Sequence, residues 1–194
     1  MQRFVMAGLL CVACAGTASA MESIKAMEGI KAKSAVEFYN AQEKRFFVSS
    51  DTLEVQLLDQ GMVSGWERTG QVFAVIDPND TAALGANPVC RLYSSVPGYE
   101  NLHFFSASSA ECAAAIASGG WTVETFNAFG AFLPEAATGV CRDGTRPLYR
   151  TVDANSGDHR YTVDAKVQEQ MIGQGRVAEG YGFFPVAMCV LQQQ

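Results

Sequence analysis

Residues 159–175 read "HRYTVDAKVQEQMIGQG", and two earlier stretches of the same length answer them: "HFFSASSAECAAAIASG" at 103–119 and "RFFVSSDTLEVQLLDQG" at 45–61. Each carries an aromatic two residues after its first position (Phe47, Phe105, Tyr161), a capping residue three further on (Ser50, Ser108, Asp164), and a closing glycine (Gly61, Gly119, Gly175). Serine and aspartate side chains accept the free N–H groups of a first helical turn. Glu111 completes a capping box with Ser108, and Asp51 with Glu54 offers the same device one residue later in the first stretch. Three, seven and eight residues past the caps stand Leu53, Leu57 and Leu58, then Glu111, Ala115 and Ile116, then Val167, Met171 and Ile172. That spacing puts each set on one helical face. Glycine is the residue that most readily takes the left-handed conformation ending a helix. Three starts and three stops in one register mean a repeated unit.

Outward from these helices the echo continues. Leu92-Tyr93 and Leu148-Tyr149 precede His103 and His159 by the same distance, giving a frame L-Y-x9-H-x-[FY]-[ST]. The first copy keeps Tyr39, shortens the hairpin and has Arg45 where histidine would fall. Past the helices, Trp66 and Trp121 correspond, with Arg176 in the third place; Gly70 with Phe73 and Gly180 with Phe183 then match. Each copy reads strand, strand, short helix, strand over about fifty residues, and a unit that small cannot cover its own apolar face. The expectation is an α+β domain of three strand-strand-helix-strand repeats packed with pseudo-threefold symmetry. The copies fall near 35–88, 89–139 and 140–191 of a single domain spanning 35–194, separated by the loop-forming "DPNDTAALGANP" and "PEAATG".

The start of the chain has a different character. "MQRFVMAGLLCVACAGTASA" carries Arg3, an apolar run from Phe4 to Ala15 and "ASA" before Met21, the layout of a secretory signal (1–20) cleaved after Ala20. The run is shorter than the roughly 20 residues of a spanning helix. Residues 21–34, "MESIKAMEGIKAKS", read as a linker. The address is therefore secreted or periplasmic. Removing Arg3 moves the net charge from -6 to -7, and an acidic surface repels phosphate backbones and anionic lipid, so nucleic acid is an unsuitable partner. Cys90, Cys112, Cys141 and Cys189 remain, in an oxidising compartment where two disulfides are expected. Of three possible pairings, the repeat alignment favours Cys90–Cys112 and Cys141–Cys189, each within one copy.

Catalytic patterns are missing. "GMVSG" at 61–65 places its serine beside the second glycine rather than in G-x-S-x-G, and H-E-x-x-H, P-loop and dinucleotide glycine patterns do not occur. "DANSGDH" at 153–159 has Gly157 in the fifth place and Asp158 in the sixth, which fails the calcium-loop pattern. No cofactor and no metal site is expected. His103 and His159 occupy equivalent places in different copies, so repeat symmetry keeps them apart and favours a structural role for each over a shared ion. Tyr39, Tyr93, Tyr149, Trp66 and Trp121, with the two histidines, are the candidate ligand-binding residues. Exposed, they would form stacking platforms for sugars; at recurring strand positions they would instead serve the core.

The segments "VEFYNAQEKRFF", "GWERTGQVF", "PVCRLY", "HFFSASSAECAA", "PLYR" and "HRYTVDAKVQEQMIGQGRVAEGYG" resemble a repeat family of secreted bacterial proteins catalogued as a domain of unknown function, over residues 36–190. The resemblance implies an extracellular module, sometimes fused behind secreted hydrolases, in contact with carbohydrate or cell wall. It assigns no catalytic residue. The chain departs from the family pattern at Arg45 and Arg176. The function expected is a secreted non-catalytic binding or accessory module, for cell-wall glycan or another extracellular ligand such as a secreted protein. Two alternatives stay open: a small secreted hydrolase whose acid/base residues are not apparent, and an envelope structural or inhibitor protein.

Overall fold

The computed structural model describes residues 32–192; the stretch read as a signal and most of that read as a linker lie outside them. The elements are β1 (Ala32–Asn40), β2 (Arg45–Ser49), α1 (Thr52–Asp59), β3 (Trp66–Ile76), β4 (Asn87–Pro88), β5 (Cys90–Ser94), β6 (Leu102–Ser106), α2 (Ser109–Ala117), β7 (Thr122–Thr125), β8 (Gly130–Ala131), β9 (Thr145–Val152), β10 (His159–Thr162), α3 (Ala165–Gly173), β11 (Val177–Glu179) and β12 (Met188–Leu191). This is a mostly-β α+β architecture with three helices among the described residues. Strand pairing begins at Ala32, opposite Ile76, so residues 32–34 of the stretch read as linker belong to β1.

Strand, strand, helix, strand occurs three times in chain order, and each time the first strand lies between the other two. β1 pairs antiparallel with β2 and β3, β5 with β6 and β7, and β9 with β10 and β11. The sheets are not three equal pieces. β12 bridges β9 and β3, merging the first and last sets into one nine-stranded sheet, while β6-β5-β7 forms a separate three-stranded one. The main core, including Phe38, Phe73, Phe129, Leu148 and Met188, is buried where these layers meet.

The caps fix the register and correct it. The α1 cap is Asp51, whose carboxylate accepts the Glu54 N–H at 2.8 Å, while the Ser50 hydroxyl donates to the Ala128 carbonyl. Ser108 and Asp164 cap α2 and α3 as expected. Two residues before each cap a hydroxyl accepts the cap's own N–H: Ser49, Ser106 and Thr162, at 3.1, 2.9 and 3.1 Å. Counted from the true caps, the residue matching His103 and His159 is Phe46, not Arg45. The tyrosine frame also shifts: Tyr93 stands opposite His103, whereas Tyr149 stands opposite Thr162 and Val152 faces His159. Equal spacing along the chain concealed hairpins that turn at different places. The glycine stops hold, with Gly61, Gly119 and Gly175 at φ of 68, 79 and 92°. The helical stripe is narrower than the spacing implied: Leu58 and Met171 are buried, but Leu53, Leu57 and Ile172 face outward.

Both favoured disulfides form. Cys90–Cys112 ties β5 to α2, and Cys141–Cys189 ties the segment before β9 to β12. They fit an oxidising, extracytoplasmic compartment, and no described helix is long and apolar enough to cross a membrane. With its cysteines 22 positions apart in the sequence, the first bond restrains the unfolded chain by about 3 kcal/mol. Chemical denaturation of the Cys90→Ala/Cys112→Ala double variant is expected to show that loss, with the fold retained through the second bond.

Candidate functional site

The first-strand positions facing the residue three before each true cap are charged. Val48, Phe105 and Tyr161 stand opposite Glu37, Arg91 and Arg150. Each of these charges is held by partners from at least two parts of the chain. Arg91 Nη1 donates to Glu54 of α1 at 2.7 Å, and its Nε lies 2.9 Å from Glu124 of β7. Arg150 donates to Glu111 of α2 at 3.1 and 3.3 Å, to Glu179 of β11 at 2.9 Å, and to the Phe105 carbonyl at 3.3 Å. Glu37, with no exposed surface, accepts both arms of Arg160 at 2.9 and 3.0 Å and the Thr69 hydroxyl at 2.6 Å. Bidentate pairing of this kind satisfies the polar atoms of a carboxylate out of water. The capping acids serve twice, since Ser49 and Ser106 donate to the Glu54 and Glu111 carboxylates beside their arginines.

The histidines complete these clusters separately. His103 Nε2 lies 3.6 Å from Glu124 and His159 Nε2 lies 3.3 Å from Glu179. The His103 ring packs on Phe47 at 4.4 Å, and the His159 ring on Phe104 at 5.2 Å. Phe46, in the corresponding place, takes the Arg160 guanidinium on its face at 4.4 Å. Burial, with the Arg91 charge adding to it, pushes the His103 imidazole down to about 3 against a backbone contact from Asn101, so the ring is neutral. Its Nδ1 is buried without a hydrogen-bond partner of good geometry. Among the described residues no three histidine, cysteine, aspartate or glutamate side chains converge to hold a metal ion.

A cavity of about 670 Å³ opens where α1 and β2 face β5, β6 and β7. Its walls include Leu53, Leu57, Val63, Trp66 and Phe47 on one side and Tyr93, His103, Glu124 and Asn127 on the other. Arg91 and Glu54 lie between. Size and composition match an ordinary small-ligand site, apolar walls with a few fixed polar groups. Of its serine hydroxyls, Ser49 donates to the Glu54 carboxylate and Ser50 to the Ala128 carbonyl.

Of the residues singled out from the sequence, Trp66, Tyr93 and His103 meet at this cavity. The others lie elsewhere. Tyr39 packs at a tilt against Phe46 at 4.5 Å, Trp121 sits against Phe104 and His159 at 6.0 and 6.3 Å, and Tyr149 packs on the core cluster of Ile76, Phe132 and Cys189. Sequence reading missed the arginine clasps. Their signal was present in part: Glu54 and Glu111 stood out as capping acids, but nothing local announces that an arginine from the next unit will reach them.

No curated protein and no solved structure matches the chain. A family model does, over residues 19–131 and again over 131–190, nearly all of the strands, clasps and cavity walls just described. The chain belongs to the family described as Domain of unknown function (DUF5648).

Proposed function

We propose that this protein is a secreted or periplasmic binding module, without catalytic activity of its own, whose ligand seat is the cavity between the first and second strand-strand-helix-strand units. The observation carrying this is the cavity itself, with Trp66 and Tyr93 beside polar groups that the clasps hold in place. Preorganised hydrogen-bonding groups beside an aromatic face suit a carbohydrate, which offers hydroxyls at its rim and C–H groups on its ring face. A pseudo-threefold arrangement of the units belongs to the same proposal. It is supported by β2, β6 and β10 each contacting the other two, and by the cyclic order of packing, Phe47 on His103, Phe104 on His159 and Arg160 on Phe46. Cell wall sedimented with the mature chain is expected to retain it. Trp66→Ala is expected to cut that retention about tenfold, the effect of removing an aromatic anchor, at unchanged secondary structure. No retention on wall or soluble polysaccharide would count against the proposal.

One observation favours a second reading, a glycosidase-like hydrolase. Burial holds the Glu124 carboxyl above the usual carboxylate range, against the pull of Arg91 and with the Glu54 charge adding to it, so a protonatable acid stands near a second carboxylate. The same frame recurs at Arg150 with Glu111 and Glu179, however, which favours a structural clasp. Turnover of a glycan panel that disappears in Glu124→Gln would establish the hydrolase instead.

A further inference from the structure

The cavity walls combine two chemistries. Leu53, Val63 and Leu57 expose 64, 48 and 36% of their surface next to Trp66, an apolar strip to which a ring face can be applied. Against it stand Asp51, Glu54 and Glu124, with Arg91 and Lys33 as the cations. Lys33 is drawn to Asp77 at 3.7 Å, and Arg91 lies between the two glutamates, leaving the seat net negative. Ser49 and Arg91 both meet Glu54 at Oε2, and Arg91 and His103 both approach Glu124 at Oε2. The Oε1 oxygen of each carboxylate has no donor among the described residues. His103, nine-tenths buried, lines the same wall.

We propose that this cavity selects an amino-sugar glycan bearing a free primary ammonium group, its ring face on Trp66 and its ammonium on the Glu54 and Glu124 Oε1 oxygens. The inference rests on the reading of the chain as a binding module at this site. An ammonium supplies the charge-assisted donor that these oxygens lack. It also offsets the cost that burial imposes on the Glu124 carboxylate. N-acetylation removes that charge, and an acidic glycan meets repulsion from the wall.

Isothermal titration of the mature chain with a fully deacetylated glucosamine trimer, its N-acetylated counterpart and a lysine tripeptide tests the inference. The free-amine trimer is expected to bind at least about tenfold tighter than the acetylated one, a difference of about 1.4 kcal/mol. Glu124→Gln is expected to abolish that preference in a chain whose circular dichroism shows it folded. Leu57→Lys, on an exposed face of α1, is expected to weaken the free-amine trimer by a similar factor through the added positive charge. Equal or tighter binding of the acetylated trimer would overturn the inference and leave the binding-module reading standing. Binding of the lysine peptide alone, or a folded Glu124→Gln that keeps the preference, would also overturn it. So would no binding of any of the three, while retention on cell wall decides the broader reading separately.

Discussion

Replacing Arg150 by methionine is expected to lower the free energy of unfolding by about 3 to 5 kcal/mol, the loss typical when one side of a buried ion pair is removed. The Arg150 side chain is 5% exposed and joins three parts of the chain: Glu111 of α2, Glu179 of β11 and the Phe105 carbonyl of β6. It also lies over the Phe104 ring at 4.8 Å. Its guanidinium is held charged in spite of burial, which opposes the charge, because the Glu111 and Glu179 carboxylates favour it. Methionine fills much of the volume but leaves two partly buried carboxylates facing each other. Urea denaturation of Arg150→Met, and of the same variant carrying Glu111→Gln and Glu179→Gln, separates the two costs. The triple variant is expected to recover a substantial part of the loss, since amides tolerate the missing cation better than carboxylates do.

Acid is expected to act on this fold through His103. The folded protein keeps the imidazole neutral down to about 3, while the unfolded chain takes up a proton near the ordinary value of 6.5. Between those limits the unfolded state binds more protons, so stability rises with pH and is lost as pH falls from 6.5 toward 3. The slope is about 1.4 kcal/mol per pH unit once the unfolded histidine is protonated, and the sum across the window is roughly 4 to 5 kcal/mol. His103→Phe places at this position the residue that the first unit already uses, Phe46. Its unfolding free energy, measured by urea titration from pH 7 to 4, is expected to fall less steeply than that of the parent. Carboxylates titrating in the same range are common to both proteins, so the difference between the two curves isolates the imidazole. Identical slopes would show that the ring is protonated in the folded state.

Both results depend on features that the sequence displays unevenly. The helices were legible because their signals are local: a hydroxyl or carboxylate cap, and a glycine where the chain turns left-handed. The disulfides followed once the repeats were aligned. Hairpin register was not legible. Tyr93 and Tyr149 keep the same spacing to their histidines, yet β9 runs on to Val152 before turning, and a strand pairs by where its hairpin turns. The first cap slipped by one residue because Ser50 and Asp51 are both capable caps, and the choice between them is made by Ala128, a residue distant in sequence that accepts the Ser50 hydroxyl. The aromatic candidates divided for a similar reason. Trp66 and Tyr93 reach the cavity because the first two units meet there, while Tyr39, Trp121 and Tyr149 pack within hairpins and core. Arg91, Glu54 and Glu124 come from three separate elements, and only the packing of one unit on the next unites them.

The most direct measurement is amide and indole NMR of the mature chain during titration with soluble cell-wall fragments. Saturable shifts centred on the Trp66 indole N–H and on Leu57, Tyr93 and Asn127 are expected, with the fragments recovered intact. Shifts centred instead on the exposed Phe183–Phe184 pair, or fragments shortened during the titration, would contradict it.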